Sequence, residues 1–343
     1  MLLLWSVLLF LTGGLAVFLF LAQDLPFAEE YHRYNRVRKD AAALGHVVVY
    51  SRHHVRHDGS LRSAQPHPAW KTLVEPAAPP AAEALRVVFV HGFDVGLTQS
   101  IAEGNHLARL LRQWTEQKGA GPALEFHTFS WRSDFGPAEH LRALKAAAAQ
   151  SGALAEYLAR LAQPPAGGGP APRVVVITHG LGALLALEAL QKTGEGAPPL
   201  EALVMVQPAV RRIDLSRGTY EVVTGDAVSN VDYTGQYFGV LGRARLVLAT
   251  CSSTDTEVAQ FFAPEPELSD EIPRSPKSTV ALGTPYYSST EAEVFPPNFR
   301  LIDLSPGRYL DMVMPAHGSL FDGGGRRAFW SLWQRVLRQA EGS

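Results

Sequence analysis

Apolar residues along this chain fall into short unbroken runs that alternate with longer segments of helical periodicity. The short runs are rich in Val, Ile, Leu and Phe, which is typical of strands buried on both faces of a parallel sheet. They predict strands at 47–50, 70–74, 86–90, 124–131, 174–178, 202–206, 245–250 and 299–304. Helices are predicted at 27–44, 98–114, 137–162, 183–190 and 326–338. The alternation indicates an α/β fold, a mostly parallel, doubly wound sheet with helices on both faces.

Three segments interrupt this alternation. Residues 75–84 form a Pro- and Ala-rich connector, and 264–276 an acidic, Pro-rich stretch that we expect to be a surface loop. Residues 213–242 carry several Thr, Tyr and Gly residues. We expect them to form a cap-like insertion or extra strands near the functional site.

The first 22 residues contain no charged side chain. A helix of that length spans about 33 Å, enough to cross a hydrocarbon core of about 30 Å. The segment has no basic start and a poor cleavage site at 20–22, so we interpret it as a retained transmembrane anchor rather than a signal peptide. Four basic residues follow it. They favour a cytoplasmic domain under the positive-inside rule, with a periplasmic domain as the alternative. These residues are Arg33, Arg36, Arg38 and Lys39.

The overall composition excludes several classes of function. With 343 residues and a formal net charge of −2, the chain can form one sizeable domain and has no basic excess suited to a nucleic acid. Its one cysteine, Cys251, excludes an intrachain disulfide and a cysteine-based zinc site. His53, His54 and His57 lie beside an Asp-Gly turn and are interpreted as loop histidines rather than metal ligands. We expect no metal and no other cofactor.

The sequence from Arg173 to Leu190, RVVVITHGLGALLALEAL, passes from a buried-type strand through a Gly-containing turn directly into a helical segment. A strand, a sharp turn and a helix are the setting of the nucleophile elbow, G-x-S-x-G, in α/β-hydrolases. The five elbow positions here are Thr178 to Gly182, so Gly180 occupies the position of the nucleophilic serine. His179 is expected to point away from the pocket and to pack.

An earlier predicted strand ends in His91-Gly92-Phe93-Asp94. In the hydrolase arrangement, the loop after such a strand supplies one backbone N–H of the oxyanion hole, and the residue after the nucleophile supplies the other. Phe93 and Leu181 are the positions expected to provide these two donors. Gly92 would let the backbone approach a substrate closely.

Two further residues complete the chain order nucleophile, acid, histidine. Asp255 follows the strand at 245–250, and His317 lies in the segment before the last predicted helix. A histidine takes the proton of the nucleophile, and a carboxylate holds the histidine in position. Asp255 could instead cap a helix, His317 could be merely exposed, and Asp303 is a rival acid.

The segments VFVHGFDVGL, FHTFSWRS, VVVITHGLGALLALEAL and LVLATCSSTDTEVA together resemble a bacterial family of α/β-hydrolase proteins of unknown function. The resemblance covers about three quarters of the chain. It extends over 86–338 and implies an α/β-hydrolase domain at 85–343. With the apolar anchor at 1–22 and a juxtamembrane segment at 23–84, we expect a single-pass protein of the bacterial inner membrane. By the same resemblance Asp255 is the acid, His317 the base, Phe93 and Leu181 the oxyanion donors, and Gly180 replaces the serine.

Three hypotheses about function follow. In the first, the chain is a membrane-anchored, esterase- or lipase-like hydrolase without its nucleophile. In the second, it is a pseudoenzyme that binds a small acyl or lipid-like ligand, or a protein partner. In the third hypothesis His317 and Asp255 activate a water molecule in the space left by the serine hydroxyl. The loss of one triad member leaves about 10³–10⁴-fold catalysis over water from the remaining groups.

Overall fold

The computed structural model describes thirteen parts of the chain. They are residues 29–52, 56, 58, 60, 70–75, 83–117, 121–136, 139–164, 170–194, 196–224, 227–251, 294–303 and 325–342. Within them, the backbone alone is described at 220–224, 227–231, 303 and 325–328.

Among the described residues, eight strands form the main sheet. They are β1 Val47–Tyr50, β2 Lys71–Val74, β3 Leu85–Val90, β4 Leu124–Ser130, β5 Val174–His179, β6 Leu200–Val206, β9 Ala244–Cys251 and β10 Phe299–Asp303. Their order across the sheet is β10-β9-β6-β5-β3-β4-β1-β2. Neighbouring strands are parallel except for the edge pair β1–β2. Two more strands, β7 Arg217–Thr224 and β8 Ala227–Thr234, form a separate antiparallel hairpin.

The described residues also contain five α-helices and two short 3₁₀ segments. The α-helices are α1 at 29–43, α2 Leu97–Gln117, α3 His140–Leu161, α4 Gly182–Lys192 and α5 Gly325–Glu341. The 3₁₀ segments are Arg212–Asp214 and Val240–Arg243, which flank the β7–β8 hairpin.

Both faces of the sheet are covered by helices, because the strand side chains alternate between two apolar layers. In β3, Val88 and Val90 pack in the layer that contains α3 and α4, whereas Val87 and Phe89 pack in the layer that contains α2 and α5. Each of these four side chains is fully buried. Burial on both faces explains why the strand sequences are continuously apolar. The architecture is consistent with an α/β-hydrolase fold.

The structure confirms the mostly parallel sheet with helices on both faces, and the described elements begin and end close to the predicted positions. The segment 213–242 contains the β7–β8 hairpin, so the expectation of extra strands there is confirmed. The acidic stretch 264–276, the histidines at 53, 54 and 57, and the predicted anchor at 1–22 lie outside the described residues. None of the helices in the described ranges combines the length and the apolar character that a membrane crossing requires.

The strand order reverses direction at β3. From β3 the chain passes through α2 to β4 on one side, and then through α3 to β5 on the other side of β3. In open α/β sheets, ligands bind outside the carboxyl ends of the strands at such a switch point. The loops that follow β3 and β5 are therefore the expected position of a binding site.

A buried polar cluster ties α2 to the sheet at His46. His46 Nδ1 lies 2.7 Å from Asn105 Oδ1, and His46 Nε2 lies 2.8 Å from Thr128 Oγ1. An amide oxygen can only accept and a hydroxyl can donate, so these contacts fit the neutral ring with its hydrogen on Nδ1. Burial lowers the pKa of His46 from 6.5 to about 4, although the hydrogen bond to Asn105 opposes this shift.

We expect His46 to make the fold sensitive to mild acid. Below pH 6.5 the unfolded chain binds a proton at this residue that the folded chain does not bind, so stability falls from pH 6.5 towards pH 4. The loss attributable to His46 at pH 5 is about 2 kcal/mol. Urea unfolding of the full chain in detergent at pH 7.5 and at pH 5 measures it. In His46→Gln, whose amide does not titrate, the difference between the two pH values should shrink by that amount; an unchanged difference would contradict the assignment.

Candidate active site

The turn after β5 has the geometry of an elbow. β5 ends at His179, and α4 begins at Gly182, so only Gly180 and Leu181 form the turn. Gly180 has a φ of 50°, in the left-handed region. A side chain at such a position costs on the order of 1–3 kcal/mol, whereas glycine adopts it freely. The chain therefore has no side chain at the turn position where the elbow motif places its nucleophile.

Gly180 is held on both sides by the segment that follows β6. Its N–H donates to Val206 O at 3.0 Å, and its carbonyl accepts from the Ala209 N–H at 3.0 Å. Between them, Gln207 has a φ of 44° and is buried, and its N–H donates to Thr250 Oγ1 at 2.9 Å. A bulky residue rarely adopts a positive φ, so strained backbone lies directly beside the elbow. No local sequence pattern indicates this conformation at Gln207.

The loop after β3 approaches the elbow closely. A Cβ on Gly92 would lie 3.1 Å from His179 Nδ1 and 3.3 Å from His179 O. A Cβ on Gly182 would lie 2.5 Å from both Val90 O and His91 O. The two glycines therefore bring the two loops together. His179 is buried, as expected, but its ring lies against the β3 loop.

The predicted oxyanion positions leave the sheet side by side. Val90 of β3 is paired with Thr178 of β5, and each candidate donor, Phe93 or Leu181, stands three positions further along its own chain segment. Leu181 is fully buried before the first turn of α4, where helix N–H groups lack intrahelical acceptors. Across the described ranges, the Leu181 N–H donates to no backbone carbonyl. Such an N–H is suited to binding an oxyanion.

His91 holds the β3 loop in place and is not suited to acid–base catalysis. Its ring stacks on Trp131, with ring centroids 5.7 Å apart. Nδ1 donates to Gly92 O at 3.0 Å, and Nε2 accepts from the Trp131 N–H at 3.2 Å. Burial, and secondarily the positive charge of Arg52, lower the pKa of His91 well below its usual value. The ring therefore stays neutral, with both nitrogens engaged in structural hydrogen bonds.

Arg52, which the sequence analysis did not identify, is the central side chain of the network beneath this loop. It lies just after β1, is only 6% exposed, and donates to Ser130 Oγ at 3.1 Å and to the Val95 carbonyl. It also forms an ion pair with Asp134, at 3.0 Å between Nη1 and Oδ1. Burial lowers the pKa of Arg52 to about 10, and the Asp134 carboxylate opposes this effect, so Arg52 is charged at neutral pH.

The loop after β4 is also tied to the β3 loop. Asp94, whose φ is 55°, donates its N–H to Ser133 O at 2.8 Å, and Ser133 Oγ donates to Val95 O at 3.2 Å. Burial, and secondarily the charge of Asp134, raise the pKa of Asp94. The predicted oxyanion loop therefore has a fixed backbone, braced by residues that follow β1 and β4.

The predicted acid and base lie outside the described residues. β9 ends at Cys251, shortly before Asp255, and β10 ends at Asp303, at the same carboxyl edge of the sheet as the elbow. His317 lies in the sequence between β10 and α5. The side chains of Asp255, Asp303 and His317 are thus not placed relative to Gly180. No group of three potential metal-ligating side chains occurs in the described parts of the chain.

The sequence matches no protein-family model and no curated protein. Among solved structures, carboxyl esterase 2 from the fungus Tuber melanosporum is 13% identical, with a TM-score of 0.35 over 76% of this chain and 80% of its own. The esterase domain of a Rhodothermus marinus protein is 14% identical, with a TM-score of 0.29 and coverages of 74% and 87%. Phospholipase PlaB from Legionella pneumophila is 12% identical, with a TM-score of 0.31 and coverages of 76% and 63%. The assignment of the fold rests on the strand order and register given above and not on these similarities.

Proposed function

We propose that this chain is an α/β-hydrolase-type protein that binds an acyl ester, or a ligand resembling one, at the switch point between β3 and β5. The observation that carries the proposal is Gly180, with its φ of 50°, in the two-residue turn between β5 and α4. A strand, a turn of this kind and a helix at a switch point form the position from which a hydrolase presents its nucleophile.

Each proposed residue has a separate role. The Phe93 and Leu181 N–H groups bind the carbonyl oxygen of the ligand, where charge develops when a nucleophile attacks. His317 is the proposed base, and Asp255 is the carboxylate that orients it. Gly180 has no Oγ, so no acyl-enzyme can form on it. We therefore propose ligand binding without covalent turnover as the activity of this chain.

The membrane anchor belongs to the same proposal. The apolar segment 1–22 crosses the bacterial inner membrane once, and the domain that follows lies on the cytoplasmic side. The basic residues Arg33 and Arg36 support this orientation, since both are exposed on α1 close to the proposed membrane surface. Protease protection of the full chain in spheroplasts tests the orientation.

We expect Gly180→Ser to create a reactive serine. A fluorophosphonate probe, which labels activated serines, should label this variant but not the unsubstituted chain, and adding His317→Ala should abolish the labelling. The matched control is Gly45→Ser, because Gly45 has a φ of 57°, has nothing within 4 Å of an added Cβ, and lies between α1 and β1, away from the elbow. It reproduces the backbone strain without creating a nucleophile.

Three results would contradict parts of this proposal. If Gly180→Ser is folded but not labelled, the turn is not a hydrolase elbow. If labelling persists after His317→Ala, His317 is not the base. The unsubstituted chain could also hydrolyse a p-nitrophenyl ester slowly and lose this activity in His317→Ala. The activity would then be attack by an activated water, and the proposal of binding without turnover would be wrong.

A further inference from the structure

We infer that the carboxyl edge of the sheet, with the Gly180 turn, faces the membrane, and that the ligand is the acyl ester of a bilayer lipid. The inference extends the proposed function and the proposed anchor. It depends on how α1 is attached to the domain, how short the chain is between the apolar segment and α1, and how far α3 extends past the strands.

Helix α1 runs beside α2 in the same direction. At the start of both helices, Thr98 donates to the Glu30 carboxylate. Further along, the Asn105 amide donates to Val37 O at 2.8 Å. Beyond the end of α1, the guanidinium of Arg112, late in α2, donates to the Leu44 carbonyl. Three contacts along the length fix the direction of α1, and buried apolar residues reinforce them.

The start of α1 therefore lies at the carboxyl edge of the sheet. α2 begins soon after β3 ends, so its first turn is at the same edge as the Gly180 turn, and its last turn is at the opposite edge. α2 has 21 residues, which corresponds to about 32 Å. Residues 22 and 29 are joined by a segment that can span no more than about 25 Å when fully extended. Because this span is shorter than α2, the segment cannot reach from the start of α1 to a membrane that contacts the opposite edge of the sheet.

The first turns of α3 extend past the strand ends on the same side. Gln150 Oε1 accepts from Ser51 Oγ at 2.9 Å and from the Arg132 N–H at 3.0 Å, so Gln150 is level with the ends of β1 and β4. The ten residues of α3 before Gln150 thus reach about 15 Å beyond the strands. Leu141, at the tip, is 59% exposed, and Arg142 beside it is exposed. Arg142 forms an ion pair with Glu139. An exposed apolar side chain beside such a pair, at the tip of a helix, suits contact with the headgroup region of a bilayer.

A second exposed hydrophobic side chain, this one aromatic, lies at the same edge. Tyr31, in the first turn of α1, is 63% exposed. Tyrosine favours the boundary between headgroups and hydrocarbon, because its ring is apolar and its hydroxyl is polar. Tyr31 and Leu141 thus mark two sides of an edge that contains the Gly180 turn. A ligand that reaches this turn from the bilayer would be an amphiphile with an ester near the headgroup.

The test uses two single-cysteine variants of the full chain on the two ends of one helix. Cys251, which is 1% exposed, is first replaced by alanine, and then Gln99→Cys or Gln117→Cys is introduced. Both glutamines are exposed, and about 27 Å of helix separates them. Each variant is labelled with a fluorophore and reconstituted into vesicles of phosphatidylethanolamine and phosphatidylglycerol that carry a nitroxide on the headgroup. We expect the nitroxide to quench the label at position 99 several times more strongly than the label at position 117.

Equal quenching, or stronger quenching at position 117, would overturn the inference whatever the chemistry of the site. Failure of the full chain to float with the vesicles would also overturn it. A second measurement addresses the ligand: Gly180→Ser is given phospholipid in vesicles and, separately, a short soluble ester. Cleavage of the vesicle phospholipid supports a bilayer ligand. Cleavage of the soluble ester alone would retain the proposed function and overturn the lipid assignment.

Discussion

Alanine in place of Gly182 should destabilise the fold by about 3 kcal/mol or more, because an added methyl group has no space at the start of α4. The new Cβ would lie 2.5 Å from the carbonyl oxygens of both Val90 and His91. These are main-chain atoms at the end of a central strand, so a side-chain rotation cannot relieve the overlap. The helix would have to move away from β3, and the turn at Gly180 would move with it.

The matched control is Gly152→Ala in the interior of α3. Gly152 has nothing within 4 Å of an added Cβ. Alanine is favoured over glycine inside a helix by about 1 kcal/mol, so this variant should be slightly more stable than the natural chain. Urea unfolding of the detergent-solubilised full chain, followed by circular dichroism, compares the two. If both variants unfold at the same urea concentration, the close approach of α4 to β3 is not present in solution.

Loss of the Arg52 guanidinium should cost about 3 kcal/mol of stability and loosen the loop that contains Phe93. In Arg52→Met, the Val95 carbonyl and the Ser130 hydroxyl each lose a buried, charged donor. Ser133 Oγ and Ser100 Oγ remain as their other partners, so the loss is that of hydrogen bonds to a charged group, about 1.5–3 kcal/mol each. Asp134, which is 47% exposed, can regain water and should add little to the loss. Urea unfolding measures the stability, and hydrogen exchange at 91–96 measures the loosening.

Arg109→Met provides the comparison with an exposed ion pair. Arg109 and Asp40 lie 3.6 Å apart and are each about half exposed. Exposed pairs contribute about 0–1 kcal/mol, so this change should be nearly neutral. Equal losses in Arg52→Met and Arg109→Met would mean that Arg52 is not buried in solution. Unchanged exchange at 91–96 in Arg52→Met would show that other contacts hold the loop.

The elements that the sequence predicts well are those specified by neighbouring residues. The run Val174 to Ile177 is apolar at every position because both faces of β5 are covered, and that pattern is visible without any tertiary contact. The elbow is equally local, since a strand, a glycine and a helix follow each other directly. The strand at 47–50 was predicted for the same reason, and β1 has those bounds.

The residues that the sequence analysis missed acquire their roles from distant partners. Arg52 stands in a His- and Arg-rich stretch that suggests a solvated loop, yet it is buried because Ser130, Asp134 and Val95 converge on it from later parts of the chain. The positive φ of Gln207 accompanies hydrogen bonds at Val206 and Thr250 that no local pattern indicates. Sequence patterns thus predicted the strand, turn and helix of the candidate site, and long-range contacts supply the support beneath them.

Helix α5 follows the ten described strands in the sequence, and this order has a consequence during synthesis. Its buried residues Phe329, Trp333 and Leu337 belong to the layer that covers β5 and β6, and Trp333 Nε1 donates to Thr115 Oγ1 of α2 at 3.3 Å. A nascent chain that has completed these strands, with α2 in place, still lacks the part of this apolar layer that α5 supplies. Apolar surface left uncovered in this way favours aggregation or chaperone binding until α5 packs on the sheet.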